Sequence, residues 1–229
     1  MENKQTYFDR LGSNFERFMD DYDVARRCHL VFDDLLKNIR LENKRVLEVG
    51  CGTGRISCEI IKREASLTVL DIGENLVRQV TEKYGCDGTV GDACGLPFEN
   101  DSFDIVISSE WIEHTPHPAK AICEMCRVCK PGGIVCVTSP NKLWYPVLWL
   151  SLKLNVRKFR GIENRLFPKQ AFAVMKQSKM NTIGLSGCHL WPFQLKLTRP
   201  ILQWFDKTLG RYLFPFMINY GMRGTKESS

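Results

Sequence analysis

The residues best suited to ligand binding form one glycine-rich run, Val46-Leu47-Glu48-Val49-Gly50-Cys51-Gly52-Thr53-Gly54. Its first part is apolar, and its last part carries glycines at alternate positions. Glycine permits a sharp bend and lets the backbone approach a ligand without interference from a Cβ atom. The run is typical of a turn that joins a strand to a helix beneath a nucleotide.

Two carboxylates follow this run at spacings that suit an adenosine ligand. Asp71 ends the next apolar stretch, 21 residues after Gly50, where a carboxylate can accept hydrogen bonds from both ribose hydroxyls. Gly91-Asp92-Ala93 follows a further short strand. There the side chain of Asp92 and a backbone amide can recognise the adenine amino group and a ring nitrogen. The spacing predicts a cofactor that contains adenosine.

A nicotinamide dinucleotide is the competing cofactor. Its fingerprint, G-x-G-x-x-G, requires a third glycine at position 55 after Gly50 and Gly52. The chain has Arg55 at that position, and the glycine comes one residue early, at Gly54. This mismatch disfavours a dehydrogenase.

A second set of chemically capable residues follows the predicted strand Phe103–Ser108. Glu110, Glu113 and His114 stand at positions i, i+3 and i+4. On a helical turn this spacing brings two carboxylates and an imidazole to one face. Such a set can remove a proton from a hydroxyl group.

The elements that must position these residues alternate along the chain. Four short apolar runs predict strands, at Arg45–Val49, Leu67–Leu70, Phe103–Ser108 and Ile134–Thr138. Stretches with helical character lie between them, at Ile56–Lys62, Glu74–Tyr84 and Lys120–Cys129. An amphipathic helix over residues 22–39 precedes them. Near-continuous apolar strands that alternate with helices predict a doubly wound α/β fold with a mostly parallel sheet.

Several short motifs give the chain a family resemblance. Leu96-Pro97-Phe98, Ser102-Phe103-Asp104 and Lys130-Pro131-Gly132-Gly133 follow the glycine-rich run. With that run they resemble the class I S-adenosylmethionine-dependent methyltransferases, in particular the type-11 methyltransferase domain, over roughly residues 44–141. A degenerate member of this fold that serves only as a scaffold is the alternative, which the intact glycines and both carboxylates disfavour.

The resemblance implies a role for each cofactor-site residue. Glu48, Gly50, Gly52 and Gly54 shape the methionine pocket, and Cys51 belongs to the same turn. Asp71 and Ile72 hold the ribose and flank the adenine, Asp92 and Ala93 bind the adenine, and Ser109 lies beneath the methionine portion.

The Glu-x-x-Glu-His pattern resembles two groups of relatives. They are the ubiquinone-pathway O-methyltransferases and the methyltransferases that modify the 3′-terminal ribose of small RNAs. The resemblance to these groups implies a divalent metal that coordinates the acceptor's oxygens and lowers the pKa of one of its hydroxyls. The surroundings of His189 do not match the second histidine expected of the RNA enzymes. We predict His114 as general base with Glu110 and Glu113 beside it, and we keep the divalent metal as the alternative.

The ten cysteines do not suggest a disulfide framework, because several lie in apolar strand-like or helical runs. Cys123, Cys126 and Cys129 form C-x-x-C-x-x-C, but on a helix they spread over about 120° and do not converge on a cluster. Free and mostly buried thiols are expected. The polar start of the chain shows no secretory signal, so we predict a cytoplasmic protein.

The net charge of +6 conceals a strong division. Residues 1–141 hold 17 Lys/Arg against 23 Asp/Glu, whereas residues 142–229 hold 15 against 3. The second part also contains 14 of the 24 aromatic residues. It predicts contact with an anionic membrane surface, through Trp144, Trp149 and Trp204 and the bases Arg157, Lys158 and Arg160. The alternatives are pairing with the acidic first part or a pocket for an apolar molecule, and no module for nucleic acid is recognisable.

These observations predict a single methyltransferase domain over residues 1–229. It comprises a helical N-terminal cap over residues 1–40, a cofactor-binding core over 44–141 and a basic, aromatic region over 142–220 with further helices. The expected reaction is methyl transfer from S-adenosylmethionine to a hydroxyl oxygen of a small or lipid-like molecule. Methylation of an RNA ribose and N-methylation of a small molecule are the alternatives.

Overall fold

The computed structural model describes residues 20–153 and 164–228. Within them, seven strands form one sheet in the order β3-β2-β1-β4-β5-β7-β6. The strands are β1 Arg45–Val49, β2 Ser66–Asp71, β3 Asp87–Val90, β4 Phe103–Ser109, β5 Cys129–Pro140, β6 Met180–Cys188 and β7 Asn219–Lys226. The first five are parallel, and β7 runs antiparallel between β5 and β6. The mostly parallel α/β sheet predicted from the sequence is confirmed.

Seven helices accompany these strands within the described ranges. They are α1 Asp21–His29, α2 Arg55–Ile61, α3 Glu74–Tyr84, α4 Pro118–Val128, α5 Tyr145–Lys153, α6 Pro168–Gln177 and α7 Arg199–Leu213. The N-terminal helix was expected to continue regularly to residue 39. Instead, α1 passes into a π-helical turn at Leu30–Leu35, whose apolar side chains are buried.

The core has two halves because the strands are buried on both faces. Leu47, Val106 and Val135 belong to a cluster with α4 and α6. On the other face, Val46 and Ile105 pack with the π-helical turn and with α2 and α3. This arrangement follows from strands whose successive side chains alternate between two covered faces.

The region after residue 141 departs from the expectation of helical additions, because it also supplies β6 and β7. Glycines interrupt the alternation of apolar and polar residues in these strands, so the sequence pattern does not predict them. Packing requires these glycines: a Cβ atom at Gly221 would lie 2.6 Å from Leu35 Cδ1, and one at Gly224 would lie 2.8 Å from Met175 Cε. Since β7 pairs directly with β5, residues on both sides of position 141 share one sheet.

Some of the residues predicted to contact a membrane or to form the N-terminal cap lie outside the described ranges. Arg157, Lys158 and Arg160 lie outside the described residues, as do residues 1–19 of the proposed cap. Trp144 is half-buried, and its indole Nε1 donates to the carbonyl of Phe216 at 2.9 Å. It is therefore less exposed than the sequence suggested.

Candidate active site

The predicted site residues meet at one edge of the sheet, where the parallel strands end. The glycine-rich turn follows β1, Asp71 ends β2, and Glu110 follows β4. Strand β7 begins at the same edge, since Asn219 pairs with Pro140 at the end of β5. We call this the carboxyl edge. It is where ligands bind in open α/β sheets.

The three glycines of the turn have different neighbours. A Cβ atom at Gly50 would lie 2.0 Å from Cγ of Trp111, and one at Gly54 would lie 2.9 Å from Cε2 of Tyr84. At Gly52, where φ is +49°, no heavy atom lies within 4 Å of the Cβ position. Gly50 and Gly54 are therefore glycines because side chains pack on them. Only the open side of Gly52 provides room for a ligand among these three positions.

Asp71 is held directly against this turn. Its buried carboxylate accepts hydrogen bonds from the backbone amides of Gly52 at 3.1 Å and Gly73 at 3.0 Å. These bonds orient the carboxylate beside the open face of Gly52. The arrangement fits the ribose and methionine portions of an adenosine-bearing cofactor.

Glu48 lies behind the turn. Its buried carboxyl accepts a hydrogen bond from Ser57 Oγ of α2. Burial raises the pKa of Glu48 to about 8, although the bond from Ser57 lowers it, and Asp71 adds to the rise. Glu48 therefore supports the pocket by tying β1 to α2.

The residues expected around the adenine occupy a turn after β3. Asp92 is exposed and caps this short turn, because its Oδ1 accepts from the amide of Cys94 at 2.9 Å. Ala93 is fully buried, whereas Ile72, after β2, is half-buried. Ala93 can therefore contribute only its backbone to the recognition of a base, whereas the side chain of Asp92 is accessible.

Two further cofactor-site residues lie close to the glycine turn. Cys51 is buried in it, and its amide donates to the carbonyl of Leu70 at 3.3 Å. The hydroxyl of Ser109 lies 3.0 Å from that of Thr138 across neighbouring strands. This contact fixes the end of β4 against β5.

Glu110 does not share a helical turn with Glu113 and His114. It has a φ of +53°, and a single 3₁₀ turn begins two residues later, at Ile112–His114. The expected geometry of one helical face is therefore not observed, because the chain bends sharply at the end of β4. All three residues nevertheless remain at the carboxyl edge.

Glu110 is half-buried, and its two carboxylate oxygens differ in their hydrogen bonds. Its Oε2 accepts a hydrogen bond from Asn219 Nδ2 of β7. Its Oε1 has no hydrogen-bond partner in the described part of the chain. Burial raises the pKa of Glu110 to about 7; Arg27 opposes this rise, and Glu113 adds to it. A carboxyl group that titrates near neutrality at the end of a strand is suited to proton transfer.

Glu113 and His114 form a second pair beside it. Nε2 of His114 lies 3.8 Å from Oε1 of the buried Glu113. The carboxylate of Glu113 also accepts from Ser139 Oγ at 3.2 Å. Ser139 thus orients Glu113, and Glu113 can stabilise a protonated imidazole.

A buried polar network joins the N-terminal helix to the C-terminal region, and sequence reasoning missed most of it. Nε2 of His189 lies 3.0 Å from Asp23 Oδ1, and the amide of His189 donates to Asp206 Oδ1 at 2.8 Å. Arg26 Nε donates to Asp206 at 3.2 Å. Arg26, in the predicted amphipathic N-terminal helix, is buried in this network. Arg27 pairs with Asp23 one turn away. The sequence feature that could have indicated this network is His189, a histidine within an otherwise apolar run.

Comparison with known proteins decides the family. The family described as a methyltransferase domain matches residues 47–137. Over 192 residues the chain is 32% identical to the phthiotriol/phenolphthiotriol dimycocerosates methyltransferase of Mycobacterium tuberculosis. The aligned region covers 73% of this chain and 71% of that protein. The chain belongs to the class I S-adenosylmethionine-dependent methyltransferases.

Further relatives of the chain extend the comparison. The chain is 35% identical over 145 residues to the chloroplastic 2-methyl-6-phytyl-1,4-hydroquinone methyltransferase 2 of Oryza sativa subsp. japonica, covering 60% of this chain and 39% of that protein. A solved S-adenosylmethionine-dependent methyltransferase of Methanosarcina mazei has the same fold, with a TM-score of 0.64 and 17% sequence identity. The superposition covers 86% of this chain and 100% of the Methanosarcina mazei chain. The chain spans between 39% and 45% of the length of the first three curated relatives it matches.

Within the described residues, the chain was compared with what a metal site, a disulfide framework and a membrane-spanning helix require. Within residues 20–153 and 164–228, no three or more His, Cys, Asp and Glu side chains are grouped to hold a metal ion. All ten cysteines are free, and six of them are buried, as expected. Among the described helices, none combines the length and the apolar character needed to cross a bilayer.

Proposed function

We propose that this methyltransferase transfers a methyl group from S-adenosylmethionine to a hydroxyl oxygen of a small, lipid-like molecule. One observation carries the proposal: the open side of Gly52, beside the fixed carboxylate of Asp71, lies at the same edge of the sheet as the half-buried carboxyl of Glu110. A cofactor pocket and a group able to move a proton thus lie at one edge.

The turn and its neighbours would hold the cofactor. The backbone at Gly52 would contact the methionine portion, Asp71 and Ile72 would hold the ribose, and Asp92 and Ala93 would recognise the adenine. Glu48, Gly50, Cys51, Gly54 and Ser109 would shape the pocket from behind and beneath. When bound, S-adenosylmethionine supplies a methyl group already activated on a sulfonium.

The acceptor side would deprotonate and orient a hydroxyl. We infer that His114 removes the proton, because Glu113 lies beside its imidazole and is itself oriented by Ser139. Glu110 would take part in the same proton transfer, since burial brings its pKa to about 7. A divalent metal held by these residues and the acceptor is the alternative that chelation would test.

The relatives support a lipid-like acceptor. Their names specify a phytyl-bearing hydroquinone and phthiotriol dimycocerosates. An apolar acceptor also suits the aromatic composition of residues 142–220. We therefore propose that the chain acts in biosynthesis at the cytoplasmic face of an anionic membrane, which its bases would contact from the aqueous side. Free thiols support a reducing compartment.

Cofactor binding can be tested at Asp71. Asp71→Ala should weaken S-adenosylmethionine binding at least about tenfold by calorimetry, because hydrogen bonds to a charged acceptor contribute about 1.5 to 3 kcal/mol each. Unchanged affinity, or preferential binding of NAD by the parent protein, would contradict the cofactor assignment.

The acceptor class can be tested with cofactor labelled in its methyl group. The purified protein would be incubated with fractionated cell extract, and labelled products would be identified by mass spectrometry. We expect label in molecules that partition into organic solvent and carry a new methoxy group. Label in RNA or on an amine would contradict this acceptor, and cofactor binding without any transfer would indicate a scaffold.

A further inference from the structure

Helix α7 exposes apolar side chains on the face opposite its packing face. Leu202, Asp206 and Gly210 are buried at spacings of four residues. On the outer face, Ile201 and Trp204 are each 56% exposed, and Tyr212, two turns further along, is 61% exposed. A water-facing helix normally places polar residues there. The outer face of α7 is therefore suited to an apolar environment.

Neighbouring turns extend this apolar surface. The turn before α7 exposes Leu195 and Leu197, and Leu197 is 97% exposed. The turn after α7 exposes Phe216. We call these residues the edge surface: Leu195, Leu197, Ile201, Trp204, Tyr212 and Phe216.

The edge surface lies at the carboxyl edge of the sheet. Helix α7 packs across the end of β6, where a Cβ atom at Gly210 would lie 2.8 Å from the carbonyl oxygen of Gly187. The turn that carries Phe216 is bound to the end of β5, because Asn141 Nδ2 donates to the carbonyl of Pro215 at 2.8 Å. The edge surface and Glu110 therefore belong to the same end of the molecule.

Within residues 189–218, which carry the edge surface, the exposed charges have one sign; Arg199, at the start of α7, pairs with Asp20. Between residues 189 and 218 the only acidic residue is Asp206, and it is buried. Lys196, Lys207 and Arg211 are exposed. No carboxylate of this segment is exposed to repel an anionic partner.

We propose that the edge surface inserts shallowly into an anionic lipid bilayer, and this rests on the proposed lipid-like acceptor. Trp and Tyr favour the interface between water and lipid, and nearby Lys and Arg bind anionic headgroups. Leu197 protrudes almost completely, which suits insertion among acyl chains better than contact with a flat protein surface. Docking at this edge would place the acceptor side of the active site against the membrane.

The test is cosedimentation of the full chain with vesicles of phosphatidylcholine, alone or with phosphatidylglycerol. Binding should require phosphatidylglycerol and should weaken as salt rises. Leu197→Gln with Trp204→Gln should reduce vesicle binding at least about tenfold, since both side chains would lose their apolar contact. The control is Phe172→Gln on α6, which also alters an exposed aromatic residue and should leave binding unchanged.

The basic residues of α7 have a matched control on α6, the helix that also carries Phe172. Lys207→Gln with Arg211→Gln should weaken binding about 30-fold, at about 1 kcal/mol for each base. Lys169→Gln with Lys176→Gln removes the same charge from exposed positions on α6 and should have a much smaller effect. Circular dichroism and cofactor calorimetry should show that each variant is folded.

The possible results separate this proposal from its alternatives. Failure to bind phosphatidylglycerol vesicles at low salt would overturn it, and so would equal losses in the α6 and α7 variants. A change of oligomeric state in the α7 variants, without an effect on vesicles, would assign the edge surface to a second copy of the chain. Methyl transfer to a water-soluble hydroquinone without vesicle binding would refute only the docking, whereas vesicle binding without any transfer would refute only the proposed reaction.

Discussion

At the scale of single residues, the glycine-rich turn shows that one motif can contain glycines with different purposes. Trp111 packs on Gly50, and Tyr84 packs near Gly54, so the protein itself fills the space beside both. Gly52 has an open side next to Asp71. A substitution can therefore separate folding from cofactor binding.

Gly52→Ala should leave the fold intact and weaken S-adenosylmethionine binding at least about tenfold. The strain of alanine at a positive φ should cost about 1 to 2 kcal/mol, and the added methyl group would enter the ligand space. Gly50→Ala has similar strain and adds a clash with Trp111, so its thermal midpoint should fall further. Denaturation and calorimetry on both variants provide the measurement. A larger loss of stability in Gly52→Ala than in Gly50→Ala would contradict the assignment.

The residues after β4 are predicted to affect the rate of the chemical step and not the binding of the cofactor. His114→Ala should lower kcat about 10² to 10⁴-fold with little change in cofactor affinity, because a general base acts in the chemical step. If a metal acts instead, chelation should abolish activity and Glu110→Ala or Glu113→Ala should match the histidine variant. Full activity in all three variants would refute the assignment of these residues.

At the scale of elements, buried ion pairs attach α1 to α7. The carboxylate of Asp206 accepts hydrogen bonds from Arg26 and from the backbone amide of His189. The carboxylate of Asp23 contacts the imidazole of His189. Burial raises the pKa of Asp206, and His189 and Arg26 oppose this rise. The Arg26–Asp206 and Asp23–His189 contacts join residues that are 180 and 166 positions apart in sequence, so they form only when distant parts of the chain have come together.

Asp206→Asn should lower the free energy of unfolding by about 3 to 5 kcal/mol, because it leaves the Arg26 cation buried without its partner. Glu59→Gln is the comparison, since Glu59 pairs with Lys62 and Arg63 at the surface; it should cost less than about 1 kcal/mol. Urea unfolding measures both. Equal effects would mean that the buried network contributes no more than a surface pair.

At the scale of the whole molecule, Glu48 links stability to pH. Its pKa is about 8 in the fold, whereas an unfolded glutamate has a pKa of about 4.3. The folded state therefore binds more protons between these values, and the free energy of unfolding falls as pH rises through that range. Glu110 contributes in the same sense, since burial also raises its pKa.

Glu48→Gln should reduce this dependence, because the amide keeps the shape of the neutral carboxyl and cannot ionise. Relative to the parent protein, the variant should gain stability between pH 5 and pH 8, as measured by urea unfolding at each pH. Glu82→Gln, at an exposed position of α3, should leave the dependence unchanged. A parent protein with constant stability over this range would contradict a buried carboxyl at position 48.

The sequence by itself determined the first five strands, the glycine turn and the order of the cofactor motifs. These features are local: an apolar run such as Arg45–Val49 indicates a strand within a few residues, and a turn that needs a positive φ favours glycine. Helix Glu74–Tyr84 was predicted with its observed bounds for the same reason. The family resemblance over residues 44–141 rests on this local information.

Only the tertiary structure decided what those residues touch. Strand β7 is rich in glycine because Leu35 and Met175 approach it from distant parts of the chain, and no local pattern records that approach. The partner of Glu110 is Asn219, and the partner of Asp23 is His189. Such pairs depend on which strand ends meet at the carboxyl edge. Burial and charge, which set the chemistry of these groups, arise only when the whole sheet has formed.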